Sequence, residues 1–144
     1  MSRPSYNANG VKFWLPELSN INTDLIGEDT VIHSHVWIGN NVSIGRDCKI
    51  QAFAFIPDGV TIGDNVFIGP HVCFTNDKYP PSGEDGWAET KILEGCSIGA
   101  GAIILPGITI GPNVRVGAGA VVTKSFTHPG STIKGNPAKQ TIKE

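Results

Sequence analysis

A chain of 144 residues with a formal charge of −2 suits one compact domain of residues 1–144. Its Lys and Arg are scattered without a basic stripe, which argues against a nucleic-acid partner, and no stretch nears the roughly 18 apolar residues of a membrane span. The opening MSRPSYNANG has no signal-peptide core and the three cysteines form no CxxC pair, so a reduced, cytoplasmic setting is expected.

Residues 1–25 hold an apolar cluster, Val11, Phe13, Trp14 and Leu15, without a clean period, and are expected to cap the open end of whatever follows. From residue 26 a large residue recurs every six positions: Ile26, Ile32, Ile38, Ile44, Ile50, Ile56, Ile62, Ile68 and Phe74. A small or β-branched residue follows four places on, as at Val36, Val42, Cys48, Ala54, Val60, Val66 and Val72, so both positions face one interior. The residue just after the large one is often glycine, and Pro57, Pro70, Pro106 and Pro112 fall at the turn positions, which marks a corner every six residues. Strand, corner, strand without helical punctuation describes a solenoid that stacks parallel strands around its own core. Residues 26–74 form its first stretch and 92–122, from Ile92 through Ile98, Ile104, Ile110 and Val116 to Val122, its second.

Residues 75–91, TNDKYPPSGEDGWAETK, interrupt the ladder with turn formers and two aromatics. They predict a projecting loop that reaches a neighbouring subunit. Residues 123–144 leave the repeat as a tail.

These hexads resemble the hexapeptide-repeat acyltransferases. The resemblance implies an all-β, left-handed parallel β-helix of triangular section with three hexads per turn, and a homotrimer about a threefold axis. Residues 18 apart then lie on one side of the prism. One side carries His35 and Trp37, Phe53 and Phe55, His71 and Cys73; a second carries Asn41 and Ser43, Gly59 and Thr61, then Asp77. The aromatic side, through Trp37, Phe53 and Phe55, is the expected subunit interface. Phe67 points out on the third side and is expected to pack beneath the loop.

The string GPHVCFTNDKYP at 69–80, with SIGAGAIILPGITIG, VGAGAVVTK and the TIKGNPAK of the tail, is similar to enzymes that N-acetylate 3-amino-3-deoxy sugars on UDP or dTDP. What that likeness implies is an acetyltransferase using acetyl-CoA as co-substrate and no metal, in a site between subunits, serving lipopolysaccharide O-antigen biosynthesis. By resemblance Asn76 binds and orients the sugar amine. Asp77 either holds a hydroxyl or ammonium, or opens the loop as an Asx turn. His71 is a candidate general base, since imidazole titrates near neutrality, while the CoA sulfur is the competing proton acceptor. His35 either contacts substrate from a neighbouring subunit or packs on Phe53, and Tyr79 and Trp87 are candidates to stack on the nucleobase.

The GAGA corners leave backbone open to a pantetheine arm, making Gly101, Ala102, Gly119 and Ala120 the cofactor candidates. Lys124 and Lys139, with Lys134 and Arg115, are candidate phosphate ligands. Two other readings compete. The HSH string at 33–35 invites a zinc site like that of γ-class carbonic anhydrases, although His33 falls at a corner and His71 two coils from His35. A non-catalytic binding solenoid is the second.

Overall fold

Burial follows the six-residue ladder. In the computed structural model, which describes residues 3–141, every large residue from Ile26 to Phe74 and from Ile92 to Val122 lies in one continuous core. So does every small partner from Val36 to Val72 and from Cys96 to Ala120. Each such isoleucine contributes roughly 1.5–3 kcal/mol by leaving water. Thr30 and Thr90 occupy the small inward position too, and Thr30 is reconciled to burial by donating its hydroxyl to the Gly45 carbonyl at 2.7 Å.

The strands of the coil are two or three residues long, those of the tail hairpin four, and they stack into three mainly parallel sheets, the sides of a left-handed triangular prism. A long face runs from Lys12–Trp14 through Lys49–Ile50, Phe67–Ile68 and Arg115–Val116 to the tail hairpin of Thr132–Gly135 and Ala138–Thr141. An aromatic face stacks Trp37–Ile38, Phe55–Ile56, Cys73–Phe74, Ile103–Ile104 and Val121–Val122. A short face stacks Ser43–Ile44, Val60–Ile62, Thr90–Ile92 and Thr109–Ile110. Within the regular coils partners are 18 residues apart, as in Trp37↔Phe55 and Lys49↔Phe67, while across the loop Phe67 meets Ser97 and at the two ends the spacing drifts to 19 and 17.

The residue after each large one does not turn the corner. The left-handed backbone comes two positions later, at Asn41, Asp47, Asn65 and Asn113, with φ from 54° to 56°, and at glycines such as Gly101. The earlier glycine is there for close approach: a Cβ on Gly99 would sit 2.6 Å from the Ala118 nitrogen in the next coil. His35, Phe53 and His71 share the left-handed position, with φ of 59°, 66° and 59°, so they stand on the edge between the long and aromatic faces rather than on a flat side. His33, assigned to a corner, instead pairs its N–H with the Ile50 carbonyl.

Residues 1–25 do more than cap. Lys12–Trp14 pairs antiparallel with Pro4–Tyr6 and stacks parallel on Val31–Ile32, so the described part of this segment adds an irregular coil. The coil resumes at Thr90, inside the expected loop of 75–91. Phe67, finally, lies on the long face at 37% exposure, away from the loop, which leaves from the edge between the aromatic and short faces.

Candidate functional site

Where the loop departs, Asn76 ends one strand connection and the chain returns through Ala88. The Ala88 N–H donates to the Asn76 carbonyl at 2.9 Å, and Thr90 N–H to the Gly59 carbonyl at 3.3 Å, which closes the loop's neck. Asp77 organises the interior of the loop. Its carboxylate accepts from Ser82 Oγ at 2.6 Å, Ser82 N at 2.8 Å and Tyr79 N at 3.2 Å. The Ser82 hydrogen bonds hold this carboxyl below the usual range, so it stays ionised and is a poor proton acceptor near neutrality. Of its two sequence readings, the structure gives Asp77 the loop-opening turn, and it bridges to Trp87 instead of lying beside Gly59 and Thr61.

The returning loop walls a cleft of about 420 Å³ against the aromatic face. Trp37, Phe55 and Pro57 provide an apolar floor, Trp87 the loop side, and Asn40, Asp58 and Asn76 a polar column. Trp37 and Phe55 stack with centroids 6.3 Å apart. Asn76 Nδ2 donates to the Asp58 carbonyl at 3.3 Å. A carbonyl can only accept, so the amide nitrogen is fixed towards it and Oδ1 is left as the free acceptor on the cleft wall. Sequence reasoning missed Asn40 and Asp58. The available signal was their spacing, since residues 40, 58 and 76 are 18 apart and fall in one column.

A second feature occupies the other edge of the aromatic face. His35, Phe53 and His71 form a ring stack, His35 to Phe53 at 4.8 Å and 15°, Phe53 to His71 at 4.9 Å and 2°. Non-glycine residues in left-handed backbone cost about 1–2 kcal/mol each. Three successive coils therefore hold aromatic rings at strained positions that Asn, Asp or Gly fill on the other edges. Downstream the same edge continues as Gly101 and Gly119, where no atom of the described residues lies within 4 Å of an added Cβ. The edge thus changes from aromatic side chains to bare backbone immediately after His71.

The bacterial transferase hexapeptide family (six repeats) matches residues 41–76 and 89–124, the coils on either side of the loop. The chain belongs to this family. It is 37% identical over 68 residues to the bifunctional protein GlmU of Koribacter versatilis (strain Ellin345), a match covering 46% of this chain and 14% of that protein. It is similar in structure to PerB from Caulobacter crescentus, solved in complex with CoA and GDP-perosamine, with a TM-score of 0.73 at 24% identity over 87% of this chain and 55% of PerB. It is also similar to AntD, an N-acyltransferase from Bacillus cereus solved with dTDP and 3-hydroxybutyryl-CoA, with a TM-score of 0.78 at 19% identity over 91% of this chain and 78% of AntD. The chain spans little more than half the length of PerB, and at these identities the likeness is one of fold.

Within this hexapeptide coil the other predicted residues separate. Ala102 and Ala120 are fully buried, and their N–H groups donate to Gly99 and Gly117 at 3.2 Å, so their side chains face the core. Gly101 and Gly119 are exposed, though their N–H groups are also spent, on Pro70 and Ala100. Lys134 lies over Gly117 and pairs in register with Lys139, placing two cations at the downstream end of the same edge. Lys124 sits over the Phe126 ring at 5.7 Å, on another edge, and Arg115 on the long face. Tyr79 is 76% exposed and does not line the cleft, whereas Trp87 does. His35 hydrogen-bonds Ser34 Oγ at 3.0 Å and packs on Phe53.

His33 packs on Trp14 with centroids 6.4 Å apart, and burial followed by the nearby Lys12 lowers its pKa. Among the described residues no three His, Cys, Asp or Glu side chains are placed to hold a metal. Burial pushes the Cys73 thiol up, which disfavours a thiolate nucleophile there.

Proposed function

We propose that this hexapeptide protein moves an acetyl group from acetyl-CoA to the amino group of a nucleotide-linked amino sugar. The observation that carries the reading is Asn76, whose amide is locked by Asp58 so that Oδ1 presents an acceptor into an aromatic-floored cleft. An amine N–H donated to that oxygen leaves the nitrogen lone pair directed at the thioester carbonyl. Attack forms the new C–N bond, the tetrahedral oxyanion collapses, the C–S bond breaks, and the ammonium proton passes to a base or to the departing sulfur. PerB with CoA and GDP-perosamine, and a variant of the N-acyltransferase AntD with coenzyme A and dTDP-4-amino-4,6-dideoxyglucose, support the same pairing of CoA with an amino-sugar nucleotide. The 3-position of the amine, on UDP or dTDP, rests on the likeness of GPHVCFTNDKYP.

The acetyl donor lies along the bare edge. Gly101 and Gly119 admit the pantetheine arm, Lys134 and Lys139 face its phosphates, and the arm's reactive end arrives at His71. His71 and Asn76 lie on opposite edges of the aromatic face, so one subunit does not assemble both. A homotrimer does. Trp37, Phe55 and Ile103, 43%, 40% and 39% exposed, give that face the apolar surface of a subunit interface. About a threefold axis, one edge of each face meets the opposite edge of the next, which brings His71 of one subunit towards the Asn76 cleft of its neighbour. His71 is then the proton acceptor, in a cytoplasmic enzyme whose N-acetylated sugar feeds O-antigen assembly. The test is thiol release from acetyl-CoA with amino-sugar nucleotides. The native protein releases CoA and Asn76→Ala, still trimeric, loses at least about 100-fold in kcat; near-native turnover in that variant removes the assignment.

A further inference from the structure

Asp58 sits at the centre of the polar column, between Asn40 below and Asn76 above. Its Oδ1 accepts the Asn40 N–H at 2.8 Å, which leaves the second carboxylate oxygen for a ligand. An identical backbone bond is made by Asp64, whose Oδ1 accepts Arg46 N–H at 2.9 Å, on another edge and outside the lining of this cleft. The shared bond is therefore a device of the coil, and the second oxygen of Asp58 is what the cleft adds.

The charge of this cleft is one-sided. A second lobe of about 420 Å³ continues past Asp58 and Trp87 to Glu84 and Glu89 of the loop. Among the described residues, neither lobe has a Lys, Arg or His in its lining. An aromatic floor bearing a few fixed acceptors suits the apolar C–H face of a pyranose with hydroxyls at its rim. It does not suit a pyranose carrying a carboxylate. Such a group would enter a partly desolvated space beside three like charges, with no guanidinium or ammonium in this subunit's own lining to pair with.

Building on the acetyltransferase reading above, we propose that Asp58 is a specificity-determining residue that restricts the acceptor to uncharged sugars, such as 6-deoxyhexoses, and rejects uronic acids. The carboxylate accepts a hydroxyl hydrogen bond from a neutral ring and opposes a uronate by repulsion. Glu84 and Glu89 add to the repulsion from the loop side.

The experiment compares two acceptors matched in nucleotide and amine position, one with a 5-methyl group and one with a 5-carboxylate, in thiol release from acetyl-CoA. Each is used as its UDP, dTDP and GDP conjugate. The native protein is expected to prefer the methyl acceptor by at least about tenfold in kcat/KM, and 0.5 M salt is expected to narrow that ratio about threefold. Asp58→Asn keeps an Oδ1 acceptor for Asn40 and removes the charge; it is expected to narrow the ratio at least about fivefold. Asp64→Asn, which loses a charge in the same backbone setting, is expected to leave the ratio as in the native protein. Preference for the uronate, or a ratio unchanged in Asp58→Asn, overturns the proposal while leaving the acetyltransferase reading intact. Release with neither acceptor in any conjugate overturns both.

Discussion

The imidazole of His71 lies face to face on the ring of Phe53, centroids 4.9 Å apart and planes 2° from parallel, at two corners where both residues hold left-handed backbone. A phenylalanine there costs about 1–2 kcal/mol, while its two stacked neighbours return about 0.5–1.5 kcal/mol each. The terms nearly cancel, so the ring's purpose is to position His71 and to present an apolar edge. Phe53→Gly is expected to hold its thermal midpoint within about 3 °C, yet to lose about tenfold in kcat/KM and associate more weakly on gel filtration. A collapse of the midpoint with activity retained would show the stack to be purely structural.

The glycines of the GAGA corners divide into two kinds. Gly99→Ala drives a Cβ to 2.6 Å from the Ala118 nitrogen and 2.8 Å from the Val116 carbonyl, and backbone cannot yield. It is expected to cost about 3 kcal/mol of stability by denaturant titration. Gly101→Ala meets no atom and bears only the left-handed penalty of about 1–2 kcal/mol. If Gly101 lines the pantetheine track, that variant raises KM for acetyl-CoA; an unchanged KM removes Gly101 from the cofactor site.

Ile56 and Ile62 have 0% and 2% of their surface exposed. Aspartate at either position buries a charge without a partner, and Ile56→Asp and Ile62→Asp are expected in the insoluble fraction. A soluble, cooperatively melting Ile56→Asp protein would contradict the register of the coil.

Asp77 titrates below the ordinary carboxylate value because Ser82 hydrogen-bonds its ionised form. A depressed folded pKa adds stability to the loop above the unfolded value, near pH 4, and that stability is lost as pH falls through the folded one. Asp77→Asn should therefore leave the pH–rate profile unchanged near neutrality and make residues 77–89 easier to cleave by protease at pH 7. Loss of the neutral limb of the profile would instead place Asp77 in proton transfer.

The ladder made the coil legible from the sequence, because an inward residue every six positions leaves few other ways to bury so much isoleucine. It also sorted Trp37 and Phe55 onto one face. Spacing alone did not say which corner residue turns: Gly69 and His71 recur with the same period, and only φ and the close approach of the next coil tell them apart. Both ends were obscure because their register drifts. Phe13 pairs with Ile32 at 19 residues, and Ile133 with Val116 at 17, so neither keeps the period although both pack as coils. The in-phase return at Ile92 suggested a loop through residue 91, whereas Thr90 is already inside the core. At the site, Asn76 was legible through its string, but Asp58 acquires its role only when the loop comes back over it, a long-range contact that no local pattern carries.

Acetyl transfer to a sugar amine is tested by pairing each amino-sugar nucleotide with the same sugar bearing a hydroxyl at that carbon. CoA thiol released from acetyl-CoA is followed together with the mass of the product. Release is expected only with the amine, one thiol for each amide formed, and is lost in Asn76→Ala. Equal release with the hydroxyl sugar, or none with any amine, would contradict acetyl transfer to the amine.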